Sequence, residues 1–235
     1  EAIGFLEYYG RAVLRIAEPR VLGGVPGETT RHFYEPRGVA AVIAPWNFPL
    51  AILTGMPAAA LVAGNTVVMK PASDTPLVAW ELHRLLLEAG LPPAALAYLP
   101  GPGSEVGGYL VEHPEVNVIA FTGSSAVGLD IVQRAAVMRP GQPAVKHVVA
   151  EMGGKNAIIV DDDADLRSAV DGIVASAFGF GGQKCSACSR VIALDSIHDS
   201  LLERLIEATE LVVVGDPALP GTDMGPLINA QAVTK

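Results

Sequence analysis

Short apolar runs alternate with longer segments of helical periodicity along most of the chain. Apolar positions recur at helical spacing from Glu1 to Ile16, which predicts an opening helix. Further on, five short apolar runs are separated by helix-like segments. The predicted strands are 39–44, 66–69, 95–99, 116–121 and 145–150, and the predicted helices between them are 49–63, 76–89, 104–112 and 123–138. Buried strands that alternate with helices predict an α/β fold with a parallel, doubly wound sheet.

The segments on either side of this sheet have different patterns. Val21–Thr30 is rich in Gly and Pro, which predicts an exposed connector, and 31–36 predicts a short edge strand. After Gly154 the alternation restarts, with strands predicted at 157–160 and 189–194 and helices up to about 178 and at 198–210. We therefore predict a first domain over 1–152 and the start of a second α/β domain over 153–235.

The composition of the chain argues against some kinds of binding partner and some cellular locations. The formal net charge of −9 leaves no basic surface for a phosphate backbone, so we expect no nucleic-acid partner. Two cysteines cannot build a disulfide framework, and no charged-then-apolar leader opens the chain. We expect a cytoplasmic protein, or one of the mitochondrial matrix if the source is eukaryotic.

One stretch raises a membrane alternative. Gly38–Met69 contains no Asp, Glu, Lys or Arg over 32 residues, which is long enough to span a bilayer. Pro45, Pro49 and Pro57 interrupt it, and lipid could not satisfy the backbone groups that these breaks free. We therefore predict buried strands and a core helix here, and no membrane span.

Polar side chains and glycines follow each predicted strand of the first domain. They occupy positions 45–47, 70–73, 101–103, 122–124 and 151–154. Since the carboxyl ends of parallel strands meet at one edge, these groups predict a ligand site there. Gly123–Gly128 lies between a strand and a helix, where helix N-termini bind diphosphates. Its G-x-x-x-x-G spacing is not that of the usual dinucleotide motif, and helix capping explains it equally well.

Both cysteines lie in the glycine-rich stretch Gly179–Arg190. Lys184 precedes Cys185 and favours a thiolate, which predicts a nucleophile. A buried structural thiol, a redox pair and half of a zinc site are the alternatives for Cys-x-x-Cys. The five histidines are scattered without ligand spacing, so we predict no metal.

Five motifs, in order and spacing, resemble those of the aldehyde dehydrogenase superfamily. They are A-P-W-N-F-P at 44–49, G-N-T to K-P at 64–71, F-T-G-S at 121–124, E-M-G-G-K at 151–155 and G-Q-K-C at 182–185. The cysteine motif and 41–54 look most like the branch that oxidises glutamate semialdehyde, the 1-pyrroline-5-carboxylate dehydrogenases. The resemblance runs from about Gly38 to Leu227. It implies a Rossmann-like cofactor domain, followed by the start of a cysteine-bearing catalytic domain.

The resemblance also implies the reaction and the residues that perform it. A small aldehyde, L-glutamate 5-semialdehyde, is oxidised to L-glutamate in proline catabolism with NAD. Cys185 is the implied nucleophile, and Glu151 is the general base that activates water against the resulting thioester. Asn47 and the backbone N–H of Cys185 hold the oxyanion, at about 3 kcal/mol per donor. The residues implied to bind the substrate are Phe48, Lys184 and Ser186. Lys184 and Ser186 would bind its carboxylate.

The implied cofactor contacts lie at the strand ends of the first domain. They are Ile43, Ala44, Pro45, Trp46, Lys70, Ser73, Gly103, Phe121, Gly123, Ser124, Val127, Met152 and Gly153. Many superfamily members carry a glutamate where Ser73 stands, and that glutamate repels the 2′-phosphate of NADP. Because Ser73 is neutral and lies near Lys70, we expect NAD use with some tolerance of NADP.

Several alternatives stay open. Family members are considerably longer than this chain, so we expect a fragment of a larger enzyme. Another aldehyde specificity, or an inactive piece that only binds cofactor, is the alternative to glutamate semialdehyde oxidation. The resemblance further implies a homo-oligomeric full-length enzyme, and a fusion to proline dehydrogenase is a third arrangement. Cys188 is expected to pack in the strand that follows the nucleophile.

Overall fold

The computed structural model describes residues 1–234, which form two compact units that divide between Met152 and Gly153. The first unit contains a five-stranded sheet in which every pair of neighbouring strands is parallel. The strands of this sheet are β3 (Val39–Ile43), β4 (Thr66–Lys70), β5 (Leu96–Tyr98), β6 (Val116–Thr122) and β7 (His147–Glu151). Their order across the sheet is β5-β4-β3-β6-β7. The predicted doubly wound topology is confirmed.

Helices cover both faces of this sheet. They are α2 (Ala51–Val62), α3 (Pro76–Glu88), α4 (Gly108–Glu112) and α5 (Ser125–Ala135). Along β3, Ala40 and Val42 belong to a core that includes Leu53 of α2 and Leu82 of α3. The alternate residues of β3, Ala41 and Ile43, belong to a second core with residues of α4 and α5. Because β3 is buried on both faces, it is apolar throughout, which explains the continuous apolar run.

The N-terminal segment differs in part from the prediction. The opening helix is α1 (Ala2–Leu14), as expected. The predicted connector is partly ordered, because β1 (Arg20–Leu22) and β2 (Thr30–His32) form an antiparallel pair. The predicted edge strand at 31–36 is therefore shorter and begins earlier, and Pro36 cannot donate to a sheet ladder. Both strands are exposed, so no apolar alternation marked them in the sequence.

Two further boundaries moved for identifiable reasons. The helix predicted at 104–112 is a wide turn of π type over Gly103–Gly107 that continues into α4. The strand predicted at 145–150 begins at His147, because Lys146 is buried outside the ladder. The Lys146 ammonium donates to the carbonyl oxygens of Val111 and His113 at 2.8 and 2.6 Å.

The second unit has a smaller sheet and a smaller core. Its parallel strands are β8 (Asn156–Val160) and β9 (Cys188–Ala193), and its helices are α6 (Leu166–Phe178), α7 (His198–Glu210) and α8 (Ala230–Val233). Val160, Val170, Ile173 and Leu201 form its buried cluster. Asp165 is the N-cap of α6, because its carboxylate accepts the backbone N–H of Ser168 at 2.7 Å.

The charge-free stretch 38–69 folds as β3, α2 and β4, as predicted. Within residues 1–234, no helix has both the length and the apolar character needed to cross a bilayer.

Candidate active site

The carboxyl ends of four strands lie side by side in the first unit. Lys70 pairs with Ile43, and Ile43 pairs with Phe121 on its other side. Thr122, the next residue of β6, pairs with Glu151 of β7. The register therefore brings residues from four of the sequence motifs to one edge of the sheet, where doubly wound folds bind ligands.

The segment after β3 carries the first of these motifs. Ala44 is buried, and its N–H donates to the carbonyl oxygen of Lys70 at 3.2 Å. Pro45, Trp46, Asn47 and Phe48 follow and are each partly exposed. This segment thus leaves the sheet on a path that is tied to the neighbouring strand and presents its side chains at the edge.

Lys70 is a buried cation at this edge. Its side chain is 3% exposed, and its ammonium donates to the carbonyl oxygen of Pro71 at 2.7 Å. Burial lowers the pKa of this amine, because the charged form loses solvation. One further carbonyl or hydroxyl partner would compensate for that loss, which makes Lys70 a suitable donor to a ligand oxygen.

A cleft lies between the ends of β4 and β5. Its volume is about 220 Å³, and it is lined by Ala72, Ser73, Pro76, Pro100, Gly101 and Pro102. The Ser73 hydroxyl donates to the carbonyl oxygen of Gly101 at 3.4 Å, across the cleft mouth. Gly103 follows this lining and is exposed. Small apolar residues with one hydroxyl suit the flat ring of a nucleoside.

The start of α5 is packed too closely for side chains at two glycines. A Cβ on Gly123 would lie 2.5 Å from the Phe121 ring, and one on Gly128 would lie 2.7 Å from Met152 Sδ. Ser124 caps the helix, because its hydroxyl accepts the N–H of Val127 at 3.4 Å. Both interpretations of this motif, helix capping and diphosphate binding, are therefore supported. The two glycines allow close packing and Ser124 caps the helix. The backbone amides at this helix N-terminus can still bind an anion.

Glu151 ends β7 with an exposed side chain. Its backbone carbonyl accepts the N–H of Gly123 at 3.0 Å, which links the ends of β6 and β7. Gly153, the next predicted cofactor contact after Met152, is exposed at the start of the second unit. Asn47 and Glu151 therefore belong to the first unit, whereas Cys185 belongs to the second.

In the second unit, residues 180–187 form the loop that carries Cys185, the cysteine loop. It begins with three successive residues in the left-handed region. Phe180, Gly181 and Gly182 have φ of 61°, 62° and 67°. Phe180 has a Cβ and is 54% exposed, and this region costs a residue with a Cβ about 1–2 kcal/mol. The turn reverses the chain after α6, and the Lys184 N–H donates to the carbonyl oxygen of Gly182 at 2.8 Å.

The two cysteines are in different environments. Both thiols are free; Cys185 is exposed and Cys188 is buried. Cys188 begins β9, its N–H donates to the Ser176 hydroxyl at 3.1 Å, and its thiol donates to the carbonyl oxygen of Arg190 at 3.2 Å. Cys188 therefore packs in the strand, and Cys185 is the thiol that a substrate can reach.

The neighbours of Cys185 have defined positions. The Lys184 ammonium lies at the end of α6 and donates to the carbonyl oxygen of Ala175 at 3.4 Å, where the helix dipole favours a cation. Ser186 is exposed beside the thiol. The Gln183 side chain binds both the carbonyl of Phe180 and the N–H of Ile228, so it fastens the loop to the segment before α8.

Sequence reasoning did not single out Asn156 or Ser176, and both contact the cysteine segment. The Asn156 amide donates to the carbonyl oxygen of Cys185 at 2.8 Å. Asn156 directly follows the motif at 151–155, so a polar residue at the entry to a strand was the available signal. Ser176 gave none, because a serine inside a helix is unremarkable without its tertiary partner.

Three successive acidic residues place carboxylate oxygens within 4.8 Å of one another. They are Asp161, Asp162 and Asp163, all exposed in the turn after β8. Exposed acidic turns of this kind are ordinarily solvated, and we assign no cation to them.

Comparison with known proteins places these features in a family. The sequence model of the aldehyde dehydrogenase family matches residues 1–235. The 1-pyrroline-5-carboxylate dehydrogenase of Geobacillus thermodenitrificans is 56% identical over 235 residues, which is 100% of this chain and 46% of that relative. The chain thus spans about half the length of the curated relatives that it matches.

Two solved structures show the same fold over nearly all of the chain. A crystal structure of 1-pyrroline-5-carboxylate dehydrogenase from Thermus with bound NAD has a TM-score of 0.95 at 48% identity; the match covers 98% of this chain and 45% of that one. Proline utilization A (PutA) from Bdellovibrio bacteriovorus has a TM-score of 0.96 at 54% identity, with 99% and 24% covered. Since the family model matches the whole chain and curated relatives share more than half of its residues, the chain belongs to the aldehyde dehydrogenase family.

Proposed function

We propose that the complete polypeptide containing this chain oxidises L-glutamate 5-semialdehyde, formed from 1-pyrroline-5-carboxylate, to L-glutamate with NAD. The observation that carries this proposal is the cysteine loop: an exposed Cys185 lies between Lys184 and Ser186, in a chain 56% identical to a 1-pyrroline-5-carboxylate dehydrogenase. The residues on either side of the nucleophile in the sequence carry an ammonium and a hydroxyl, which suit a substrate that carries a carboxylate.

The residues of the chain support a covalent route. The Cys185 thiolate attacks the aldehyde carbon, a C–S bond forms, and the carbonyl π electrons move to oxygen. The side-chain amide of Asn47 and the backbone N–H of Cys185 stabilise that oxyanion. After oxidation to the thioester, Glu151 takes a proton from water, whose oxygen attacks the acyl carbon. The C–S bond then breaks, which releases glutamate and restores the thiolate.

The residues at the edge of the first unit fit NAD, which when bound supplies the hydride acceptor. Lys70 is a buried cation with a free donor capacity, Ser73 lines a cleft of about 220 Å³, and Ser124 caps the helix that follows β6. We assign the adenosine end to Lys70 and Ser73, and the diphosphate to the start of α5. Ile43, Pro45, Trp46, Gly103, Phe121 and Val127 would complete the lining.

The proposed reaction can be tested with the complete polypeptide by following NADH formation from 1-pyrroline-5-carboxylate. We expect turnover that requires Cys185 and saturates at lower concentration with this substrate than with an uncharged aldehyde of equal length. Equal kcat/KM for both aldehydes would favour another aldehyde specificity. NAD binding without turnover of either aldehyde would favour the inactive, cofactor-binding alternative.

The cofactor preference follows from Ser73. Ser73, three residues after Lys70, gives the cleft a neutral hydroxyl, and none of the six residues that line the cleft carries a carboxylate to repel the 2′-phosphate of NADP. We propose NAD as the cofactor with measurable use of NADP. Comparing kcat/KM for the two cofactors tests this, and a preference for NAD above about a thousandfold, or 4 kcal/mol, would contradict it.

Three aspects of context complete the proposal. The match to PutA structures supports either a separate enzyme or one fused to a proline dehydrogenase. We propose a homo-oligomeric enzyme of the bacterial cytoplasm, since the named relatives are bacterial. The size of the complete polypeptide and its mass in solution decide between the separate and fused forms.

A further inference from the structure

The side chain of Asn156 contacts the loop that carries the nucleophile. Its amide nitrogen donates to the carbonyl oxygen of Cys185 at 2.8 Å and lies 3.4 Å from the carbonyl oxygen of Ala187. One amide thus spans two carbonyl groups on either side of Ser186. An amide has two N–H groups, so it can serve both acceptors at once.

The backbone of Asn156 is itself fixed. The residue pairs with Cys188 at the start of β8, and the register between the two strands shifts immediately after it. The Ser189 hydroxyl donates to the Asn156 carbonyl oxygen at 3.3 Å. The pairing of β8 with β9 holds Asn156 at the sheet end, so its side chain reaches the loop from a rigid element.

A close approach of the preceding backbone accompanies this contact. A Cβ on Gly154 would lie 3.0 Å from the Cys185 carbonyl oxygen and 3.1 Å from the Asn156 amide nitrogen. Gly154 is therefore packed against the hydrogen bond itself. Only a residue without a side chain leaves the carbonyl and the amide undisturbed.

Three backbone N–H groups of the loop are bound within the loop itself. The N–H groups of Gln183 and Lys184 are bound within the turn, and that of Ala187 donates to the Lys184 carbonyl at 3.2 Å. These bonds hold the loop from inside. The Asn156 amide attaches it to the strand that leads away from the Glu151 motif.

We infer that Asn156 is a positioning residue for Cys185, which orients the nucleophile and its backbone N–H through the Cys185 and Ala187 carbonyls. The inference rests on the proposed role of Cys185. Because a misplacement of about 1 Å can reduce a rate about 100-fold, a loop that moves without this amide loses catalysis. Asn156 contacts the backbone of the reacting residue, so we expect its main effect on kcat.

The test compares Asn156→Ala and Asn156→Asp with Ser189→Ala in the complete polypeptide. Asp keeps the shape of Asn but replaces the donor with an acceptor facing two carbonyls. We expect kcat to fall at least about tenfold in both Asn156 variants, and KM to rise by a smaller factor, since Lys184 and Ser186 lie in the same loop. Ser189→Ala removes a hydrogen bond to the same residue and leaves its amide in place, so it should keep kcat within about threefold.

Amide hydrogen exchange provides a readout that does not depend on aldehyde chemistry. In Asn156→Ala, exchange at residues 183–187 should rise at least about tenfold, while exchange in β9, α6 and α7 stays close to that of the parent. An equal rise throughout the second unit, unchanged exchange at 183–187, or an unchanged kcat would overturn the inference. If the parent protein oxidises no aldehyde, the proposed function fails, and the exchange pattern alone decides whether Asn156 holds the loop.

Discussion

The two units are built from the same elements but bury them differently. In the first, the sheet has five strands, and alternate residues of β3 enter separate cores on its two faces. Among residues 153–234 of the second unit, the sheet has two strands and the core cluster has four buried residues, and Ile159 and Ile192 are 75% and 53% exposed. A sheet with helices packed on both faces fixes the positions of its strand ends. The cysteine loop belongs to a unit with a smaller core, and a few polar contacts hold it.

The largest expected effect is that of Cys185→Ala, which should abolish aldehyde oxidation and leave NAD binding intact. Cys185→Ala should lower kcat/KM for aldehyde oxidation by about 10⁴-fold or more, since no other exposed thiol is available to form the covalent intermediate among residues 1–234. The dissociation constant for NAD should change by less than about threefold, because all of the proposed cofactor contacts except Gly153 lie in the first unit. Steady-state kinetics and calorimetric titration measure the two quantities.

Cys188→Ala is the matched control for this change. It should retain most of the activity, because its buried thiol packs in β9 and does not face substrate. Comparable inactivation by both substitutions would contradict the different roles of the two thiols.

The second effect concerns how separately the units unfold. Ile119→Ala in β6 and Ile173→Ala in α6 each truncate a side chain that is at most 2% exposed, at a cost of about 2–5 kcal/mol. Both tryptophans, Trp46 and Trp80, lie in the first unit. In urea titrations, Ile119→Ala should therefore shift the fluorescence transition.

For Ile173→Ala, the far-ultraviolet circular dichroism transition should move to lower urea while the tryptophan transition stays in place. A joint shift of both signals would show that the two units unfold as one cooperative body, and the distinction between their cores would have no energetic meaning.

The third effect has opposite signs in the two units. Gly128→Ala should destabilise the first unit by about 1–3 kcal/mol, because the new Cβ would lie 2.7 Å from Met152 Sδ and 3.1 Å from the Phe121 ring. Gly172→Ala in α6 meets no atom within 4 Å and should stabilise the second unit by about 0.5–1 kcal/mol, because alanine is the better helix former. Unfolding free energies of the two variants test the contrast, and equal signs would contradict it.

The smallest effect distinguishes a charged helix cap from a neutral one. Hydrogen bonding to Ser168 holds the pKa of Asp165 below its ordinary value. A carboxyl whose pKa is lowered by folding contributes stability above its unfolded pKa and loses it as the pH falls through the folded pKa. The loss of stability in Asp165→Asn should therefore be present at neutral pH and shrink below about pH 4.

Ser124→Ala provides the comparison in the first unit, because the Ser124 hydroxyl caps α5 without a charge. Its effect on stability should be the same at pH 7 and in acid. Thermal unfolding followed by circular dichroism over this range measures both variants. A pH-independent effect of Asp165→Asn would show that its charge contributes nothing.

The helices and strands were predictable where burial imposes a regular pattern of apolar residues. The strands β3, β4 and β6 are short, mostly apolar runs because they are largely buried, and they appear within a few residues of the expected bounds. The exceptions have local causes. β1 and β2 are exposed on every residue, and the start of β7 is displaced by the buried ammonium of Lys146.

The proposed members of the candidate site are predictions from the sequence, whereas several contacts around them are known only from the structure. Cys185, Asn47 and Glu151 follow from motifs whose residue types match the proposed chemistry. The amide of Asn156 and the left-handed Phe180 could not be derived, because each depends on a contact or a backbone angle that no local pattern encodes.

By itself, the sequence determined the alternation of strands and helices, the doubly wound topology and the type of chemistry that Cys185 can perform. These follow from apolar periodicity and side-chain reactivity, which are properties of short stretches. Only the tertiary structure decided that the ends of β4, β3, β6 and β7 lie in register, that Cys185 is exposed while Cys188 is buried, and that Asn156 binds the nucleophile loop. Those features depend on atoms that are distant along the chain, and folding alone brings them together.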